Sequence, residues 1–405
     1  MNRFISPLIF TLCYVILCSC SGSGDSGENN IIDVESAIGT GKIHSASDFI
    51  KEIKYIPLET TSNSMVGEIY KIKIDRGKIY IRDNNGVINI FDLDGRYLNR
   101  LDRAGRGPEE YINIIDFDIS QNGHILIISQ SGGIAEYDTD LKFVRKLTPE
   151  NPVDAVGFCD MMILKKGLFA SNRLLFSPGS VLDQTWNIYD DSFKTHLSYN
   201  ADAQAKTSQS GQDQRATIVI TPNFYYYYMY DNTPNIYLNG NDTIFNIDIE
   251  NSYQKSARYV ANYGKYRFLP EMQSDPNRSE LEAISLGDVF ECNRYMFTEF
   301  QFRKLAPEPF DERSGKNTKV YGVYDKRNGK LSLLNQPIPQ TLGLKNNLNG
   351  GAPFWPKSVT KNQELISWYN ALDLISLAEE GKIDQSIVAN LKEDDNPVVV
   401  IAVPK

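Results

Sequence analysis

The sequence has 405 residues, of which 41% are hydrophobic and 23% are charged, and its formal net charge is −9. A chain of this length can bury a large core, either in one all-β unit or in two domains. Because no cluster of Lys and Arg interrupts the negative balance, the composition argues against a nucleic-acid partner.

The N-terminus has the features of an export signal. Arg3 supplies a positive charge, and residues 4–17 form an apolar run that is too short for a stable membrane span. The four residues that end at Cys20, LCSC, resemble a bacterial lipobox, in which signal peptidase cuts before the last cysteine. By that resemblance we expect residues 1–19 to be a lipoprotein signal peptide, and residues 20–45 to be the lipidated cysteine and a flexible tether. The alternative is an ordinary cleaved signal with incidental cysteines.

Three of the five cysteines would remain after cleavage, and lipid would occupy Cys20. Cys159 and Cys292 could then form a disulfide in an oxidising compartment, but the sequence does not show that their backbones approach each other. We favour two separately buried thiols.

The mature chain begins with the patterns of β-structure. Residues 31–53 hold one edge strand, and residues 55–60 form an extended segment whose Pro57 suits a sheet edge. Residues 69–74 alternate as an innermost strand should, and residues 78–101 contain three more strands separated by turn residues.

The same unit occurs twice between residues 70 and 147. Gly77 and Asp92 of the first copy recur 46 residues later as Gly123 and Asp138, and the register holds to the end of both copies. Short strands that repeat at this period are typical of the blades of a β-propeller. Weaker copies follow at residues 186–190, 242–247 and 320–325.

The C-terminal part contains a helical pattern and a final strand. Residues 370–383 have helical spacing, and a second short helix is expected at residues 385–391. Residues 398–403 form a buried strand that we expect to pair with residues 55–58, because this pairing would close the ring and leave no open edge. At about 45–60 residues per blade the chain has room for six blades, and seven blades are the alternative.

The sequence therefore predicts an all-β fold. Residues 46–405 are expected to form a six-bladed β-propeller with four-stranded antiparallel blades and a short helical insertion near the C-terminus.

Several short segments resemble those of the six-bladed β-propeller lipoproteins of Bacteroidetes. They are YIPLET at 55–60, GEI at 67–69, IFDLDGR at 90–96, GRGPEEY at 105–111, NDTIF at 241–245, GGAPFWP at 350–356 and DDNPV at 394–398. The resemblance spans nearly the whole mature chain, and it implies the propeller fold and a lipid anchor in the outer membrane, on its periplasmic or surface side. The chain departs from the family pattern at NLNG, residues 347–350, where acidic residues usually precede the glycine.

Topology locates a candidate ligand site better than motifs do. With four strands per blade, the loops between second and third strands share one face with the links between blades, and that face usually carries the ligand site in propellers. Asp83 and Asn85 lie in a loop of the first kind, as do residues 129–131, and the glycine-rich link 103–111 is of the second kind.

In the 103–111 link, Arg103, Arg106, Glu109 and Tyr111 could donate and accept hydrogen bonds with a polar ligand. Trp355, in a later loop, could stack on that ligand. The alternative is a structural linker between blades, held by internal Arg–Glu pairs.

Residues 224–230 contain five tyrosines. Exposed aromatic rings suit the apolar faces of sugars, whereas buried ones would fill the core between blades. Both interpretations stay open from the sequence.

The sequence contains few signs of a catalytic site. The three histidines are far apart, no Cys/His cluster suggests zinc, and the sequence has no G-x-S-x-G nucleophile elbow. Asp116, Asp118 and Asp288 could converge on the ring axis and hold a calcium ion, but three side chains are few ligands for such a site.

We therefore expect a non-catalytic envelope lipoprotein, attached to the membrane by lipid only, whose propeller face captures a glycan, a peptide or an envelope protein partner. No cofactor is expected; calcium in the central channel is the alternative. The alternatives are a calcium-dependent propeller hydrolase or lyase and a structural subunit of an envelope complex. A metal ion on the ring axis would favour the enzyme. A cleft rimmed by aromatic residues would favour the binding protein, and a flat apolar patch would favour the structural subunit.

Overall fold

The computed structural model describes residues 30–130, 132–151, 157–175, 183–201, 204–208, 217–221, 224–238, 241–269, 272, 282–302, 318–335 and 341–405. Six sheets of four or five strands form the blades of a β-propeller. The predicted fold is confirmed, with six blades rather than seven.

The N-terminal segment, here called the strap, runs along the outer edges of three blades. It contains β1 (Asn30–Asp33), α1 (Val34–Ala37), α2 (Ala46–Phe49) and β2 (Ile50–Pro57). β1 is a fifth, parallel strand at the edge of blade 4, Lys42 bridges to Leu334 beside blade 5, and β2 is the outermost strand of blade 6. Part of the strap lies within residues 20–45, where the sequence analysis placed the tether, and its Ile32 and Val34 side chains are buried.

The first three blades follow in chain order, each listed from the ring axis outwards. Blade 1 contains β3 (Ile69–Asp75), β4 (Lys78–Asp83), β5 (Ile88–Asp92) and β6 (Tyr97–Leu101). Blade 2 contains β7 (Ile114–Ile119), β8 (Ile125–Ser129), β9 (Ile134–Tyr137) and β10 (Phe143–Leu147). Blade 3 contains β11 (Met162–Lys165), β12 (Leu168–Leu175), β13 (Asp183–Asp190) and β14 (Thr195–Asn200), and a separate hairpin of β15 (Gln204–Ser208) and β16 (Thr217–Thr221) follows it.

The other three blades include the closure of the ring. Blade 4 contains β17 (Tyr225–Tyr230), β18 (Thr233–Leu238), β19 (Thr243–Asp248), β20 (Gln254–Asn262) and then β1. Blade 5 contains β21 (Ile284–Glu291), β22 (Tyr295–Phe302), β23 (Thr318–Asp325) and β24 (Lys330–Leu333). Blade 6 contains β25 (Ser358–Val359), β26 (Leu365–Tyr369), β27 (Val398–Pro404) and β2.

The aspartate that recurs in the repeat organises the turn between the third and fourth strands. The Asp92 carboxylate accepts hydrogen bonds from the backbone N–H groups two and four residues further on, both at 2.9 Å, and Asp138 does the same in blade 2. The residue three positions after each aspartate has a positive φ, 84° at Gly95 and 63° at Leu141. At Gly95 a side chain would collide with Pro57 O, so only glycine fits there.

The ring closes between the two ends of the chain. β2 pairs antiparallel with β27, with Tyr55 opposite Val400 and Pro57 opposite Val398. This is the predicted pairing of residues 55–58 with residues 398–403, and it gives the last blade its fourth strand. Apolar side chains of this blade pack with those of blade 1 in one buried cluster, so burial of apolar surface links the last blade to the first.

The helical insertion is shorter than the sequence pattern suggests. α3 (Ala371–Glu379) lies between β26 and β27 within the predicted residues 370–383, and a 3-10 turn at Gln385–Ile387 replaces the second helix. Cys159 and Cys292 are free thiols rather than a disulfide. Within the described ranges, no helix combines the length and apolar character needed to span a membrane.

Candidate functional site

The two faces of the propeller differ in which connections they carry. We call upper the face with the loops between second and third strands and the links between blades, and lower the face with the other turns. The long connection that contains α3 joins the second and third strands of blade 6, so it lies on the upper face beside the start of blade 1.

A cleft of about 690 Å³ opens on the upper face where blade 6 meets blade 1. We call it the seam cleft. Its lining residues are Val66, Gly67, Glu68, Ile69, Lys357, Trp368, Asn370, Ala371, Leu372, Glu393, Asp395 and Pro397. The volume lies within the range of roughly 300–1,000 Å³ that is usual for small-molecule sites.

One wall of the cleft is held by the predicted Asp83 loop. The buried Asp83 carboxylate accepts hydrogen bonds from Gly67 N at 2.9 Å and Asn85 N at 3.0 Å. The Asn84 side-chain oxygen accepts one from Glu68 N at 3.1 Å, and a Cβ at Gly67 would collide with that oxygen. Asp83 and Asn85 therefore support the cleft wall, and Glu68 lines the cleft.

The opposite wall carries a mixture of charged and aromatic groups. The Lys357 ammonium donates to Trp368 O at 3.0 Å and lies 4.3 Å from the centre of the Trp368 ring. Desolvation of the ammonium lowers the pKa of Lys357, and the Asp373 carboxylate partly offsets this effect. With Glu68, Glu393 and Asp395 the cleft has three carboxylates and one ammonium, so its charge is negative.

The predicted 103–111 link forms a compact loop around two of its own side chains. The buried Tyr111 hydroxyl accepts from Arg103 N at 3.3 Å and donates to Leu101 O at 3.2 Å, and burial raises the pKa of Tyr111 to about 12. The Glu110 carboxylate accepts from Gly107 N at 2.7 Å. These contacts are those of a structural linker, although its glutamate binds backbone rather than an arginine.

The remaining predicted side chains of this link point to solvent. Arg103, Arg106 and Glu109 are exposed, and the Tyr111 hydroxyl lies 3.4 Å from Gly86 O, next to the Asp83 loop. The link is thus adjacent to the Asp83 loop, which lies between it and the seam cleft. The structure places these residues on the predicted face without bringing them into the cleft.

Trp355 lies in the core instead of on the surface. Its ring is buried, stacks on Tyr321 with 4.1 Å between centroids and meets Phe297 edge-on at 5.5 Å. The aromatic residue that lines the cleft is Trp368, and Lys357 enters the cleft two positions after Trp355.

The tyrosine-rich strand β17 packs on both of its sides. Tyr227 lies against Trp186 of blade 3, and its hydroxyl donates to Asp160 at 2.6 Å. Tyr228 points the other way and donates to Glu291 of blade 5 at 2.9 Å. All its side chains are half-buried, so the strand mainly fills the space between blades.

Charged pairs near the axis occupy two of the carboxylates considered for calcium. Asp116 lies 2.7 Å from the Lys71 ammonium, and Asp118 lies 3.0 Å from that of Lys73. The same carboxylates accept hydrogen bonds from Met161 N at 2.8 Å and Ile163 N at 2.9 Å at the open edge of blade 3. Among the residues that the structure describes, no group of three or more acidic, His or Cys side chains, Asp288 included, is arranged to hold a metal ion.

The described elements and their closure define a six-bladed β-propeller with a polar cleft on its upper face. The chain belongs to the family described as "Domain of unknown function (DUF4934)", whose model matches residues 29–403. No curated protein sequence matches it.

Two solved Bacteroides structures are similar to this chain. A "Putative exported protein" from Bacteroides fragilis NCTC 9343 has 16% identity and a TM-score of 0.65, over 93% of this chain and 99% of that one. A protein of unknown function from Bacteroides caccae has 12% identity and a TM-score of 0.36, over 65% of this chain and 80% of that one. At this identity the first likeness supports the fold alone.

The cleft residues themselves carry no sequence signal of a binding site. Glu393, Lys357 and Trp368 belong to no recognisable binding motif. Two signals were nevertheless present, because GEI at 67–69 and DDNPV at 394–398 were among the segments quoted for the family resemblance. The predicted pairing of residues 55–58 with residues 398–403 brings those two segments to one edge of the ring.

Proposed function

We propose that the chain is an exported, non-catalytic binding protein that captures a glycan in the seam cleft. The observation that carries this proposal is the mixture of side chains in one cleft of about 690 Å³. Each sugar hydroxyl both donates and accepts a hydrogen bond. The Glu68 and Glu393 carboxylates can accept from such hydroxyls, and the Lys357 ammonium can donate to their neighbours.

An indole in the lining of the cleft supports the choice of ligand. Trp368 adds apolar surface to the cleft; since the Lys357 ammonium lies over its ring, a sugar would contact the exposed part of the indole beside Lys357. The exposed Leu372 and Met65 add apolar surface at and beside the mouth. A purely cationic peptide would use the carboxylates but would meet Lys357 unfavourably.

The direction of β1 supports presentation of the cleft away from an anchor. β1 is parallel to β20, which runs from the lower face to the upper face, so Asn30 lies at the lower end of β1. We propose that Cys20 carries lipid and holds the protein in the bacterial envelope. Support for export comes from the lipobox-like LCSC and from the name of the similar Bacteroides fragilis protein.

The binding proposal is tested with residues 21–405, produced without the anchor, on an array of defined glycans followed by calorimetry. Glu393→Gln should weaken binding of any glycan found by about tenfold, because it replaces a charged acceptor with a neutral one. Asp394→Asn, one residue further on and outside the cleft lining, should leave the affinity unchanged.

Three results would contradict the proposal. They are the absence of glycan binding, equal effects of the two variants, and binding of oligolysine that Glu393→Gln abolishes while glycans stay unbound. The last result would indicate a basic peptide ligand. Anchoring is tested separately, since Cys20→Ala should move the full-length protein from the membrane fraction to the soluble fraction, and unchanged partitioning would refute lipidation.

A further inference from the structure

A second cavity, of about 310 Å³, opens toward the lower face between blades 2 and 3. We call it the inter-blade pocket. Its lining residues come from both blades, and the charged ones are Glu136, Arg145, Lys165, Lys166 and Asp191. No residue of this set lines the seam cleft.

The inner part of the pocket is apolar. Six of its lining side chains are aliphatic or aromatic, three from each blade: Leu126, Ile134, Leu147, Ile163, Leu168 and Phe169. A ligand body that covers this surface would remove apolar area from water, which favours binding. The pocket therefore favours a ligand with an apolar body.

The carboxylates at the rim are already paired. Glu136 Oε1 lies 2.7 Å from His124 Nδ1, and Glu136 Oε2 accepts from Arg145 Nε at 2.6 Å. The same guanidinium donates to Asp191 Oδ2 at 3.0 Å through Nη2. Glu136 and Asp191 therefore have little charge left to offer a ligand, and Arg145 is held in one orientation between them.

The lysines at the rim differ in their partners. Lys165 forms an ion pair with Glu250 at 2.7 Å. Lys166 is exposed in the turn between β11 and β12, and its ammonium has no ion-pair or hydrogen-bond partner among the described residues. The unpaired charge at the mouth of the pocket is therefore positive.

We propose that the inter-blade pocket is a second ligand site, which binds a small amphipathic monoanion. The apolar body of the ligand lies on the side chains shared by blades 2 and 3, and its carboxylate or sulfonate lies against the Lys166 ammonium. This site is independent of the glycan site, because the two open on opposite faces and share no residue.

The test uses two fluorescent probes that differ in charge, 1-anilinonaphthalene-8-sulfonate and uncharged N-phenyl-1-naphthylamine. Lys166→Gln should raise the Kd of the sulfonate about tenfold, as expected for loss of one charged contact, and should leave that of the neutral probe unchanged. Leu126→Trp should fill the pocket and abolish binding of both probes. Lys142→Gln, an exposed lysine outside the lining, is the control for net charge.

A second blocking variant, Leu147→Trp, covers the case in which Leu126→Trp fails to fold, and thermal unfolding checks both. The proposal is overturned if neither probe binds, if both blocking variants fold and still bind, or if Lys166→Gln and Lys142→Gln have the same effect. Glu393→Gln should not change probe binding, so failure of one site can be told from failure of the other.

Discussion

The side-chain oxygen of Asn396 accepts a hydrogen bond from Val66 N at 2.8 Å, which joins the connection leading into the closing strand β27 to the wall of the seam cleft. The same buried amide donates to Glu59 O at 2.8 Å and to Ser64 O at 2.7 Å. Three backbone groups of the segment between β2 and β3 thus depend on one side chain of the final connection. Closure of the fold and shape of the cleft are therefore coupled.

Asn396→Ala should leave those three backbone groups without their partner. Because an unsatisfied buried polar group costs about 1–3 kcal/mol, and water will reach some of them, we expect a loss of about 2–4 kcal/mol in unfolding free energy. Urea unfolding measures it. Asn347→Ala removes an exposed amide that binds Ser47, and should cost less than about 1 kcal/mol. Equal losses in the two variants would show that Asn396 does not organise the seam.

The ring and its closure were predictable because they depend on local patterns. Alternation in residues 69–74, the Asp92 turn and the apolar run at residues 398–403 each reflect local backbone geometry and burial. The parallel placement of β1 was not predictable, since a short strand at an outer edge leaves no periodic signal. Neither was the shortness of the second helix.

The face of the propeller that carries the candidate site was predictable from the sequence, but the residues that line the cleft were not. Trp355 and Trp368 lie 13 residues apart in the same part of the chain, and only three-dimensional packing decides that the first stacks on Tyr321 while the second lines the cleft. Likewise, nothing in the 103–111 link reveals that the Tyr111 hydroxyl is already used by the backbone. Side-chain direction at irregular loops depends on long-range contacts that one sequence does not display.

Gly351 lies against the Tyr55 ring, so an added side chain would collide with it. The Tyr55 hydroxyl donates to Ala352 O at 3.3 Å and lies 3.3 Å from the Asn346 amide, which limits its freedom to move away. Gly351→Ala should therefore lower the unfolding free energy by about 1–3 kcal/mol. In the Tyr55→Ala background the same change should cost almost nothing, and a double-mutant cycle by urea unfolding measures the difference. An equal cost in both backgrounds would rule out the steric explanation.

The Lys73 and Asp118 pair lies between blades 1 and 2 close to the axis. Because burial removes water from the Asp118 carboxylate, its negative charge depends on the attraction of the lysine. Burial alone would raise the pKa of Asp118, but the ammonium groups of Lys73 and Lys71 outweigh it, and the net shift is downward. Lys73→Met leaves a buried carboxylate without its main partner, so we expect a loss of about 3–5 kcal/mol. Lys73→Met combined with Asp118→Asn should recover part of that loss in urea unfolding. Lys142→Met, at an exposed position, is the control, and a double variant no more stable than Lys73→Met would contradict the pairing.

Glu136 should make the unfolding free energy of the protein fall in acid. Burial alone would raise the pKa of Glu136, but hydrogen bonds from Arg145 and His124 lower it below the ordinary value of 4.5. A carboxyl with a lowered folded pKa stabilises the protein above its unfolded pKa, and this contribution is lost as the pH falls through the folded pKa. Wild type should therefore exceed Glu136→Gln by about 1–3 kcal/mol in unfolding free energy at pH 7, and the gap should close below about pH 4. Urea unfolding from pH 7 to pH 3 measures both curves, with Glu379→Gln as the exposed control; curves that stay parallel would show that these contacts do not stabilise the fold.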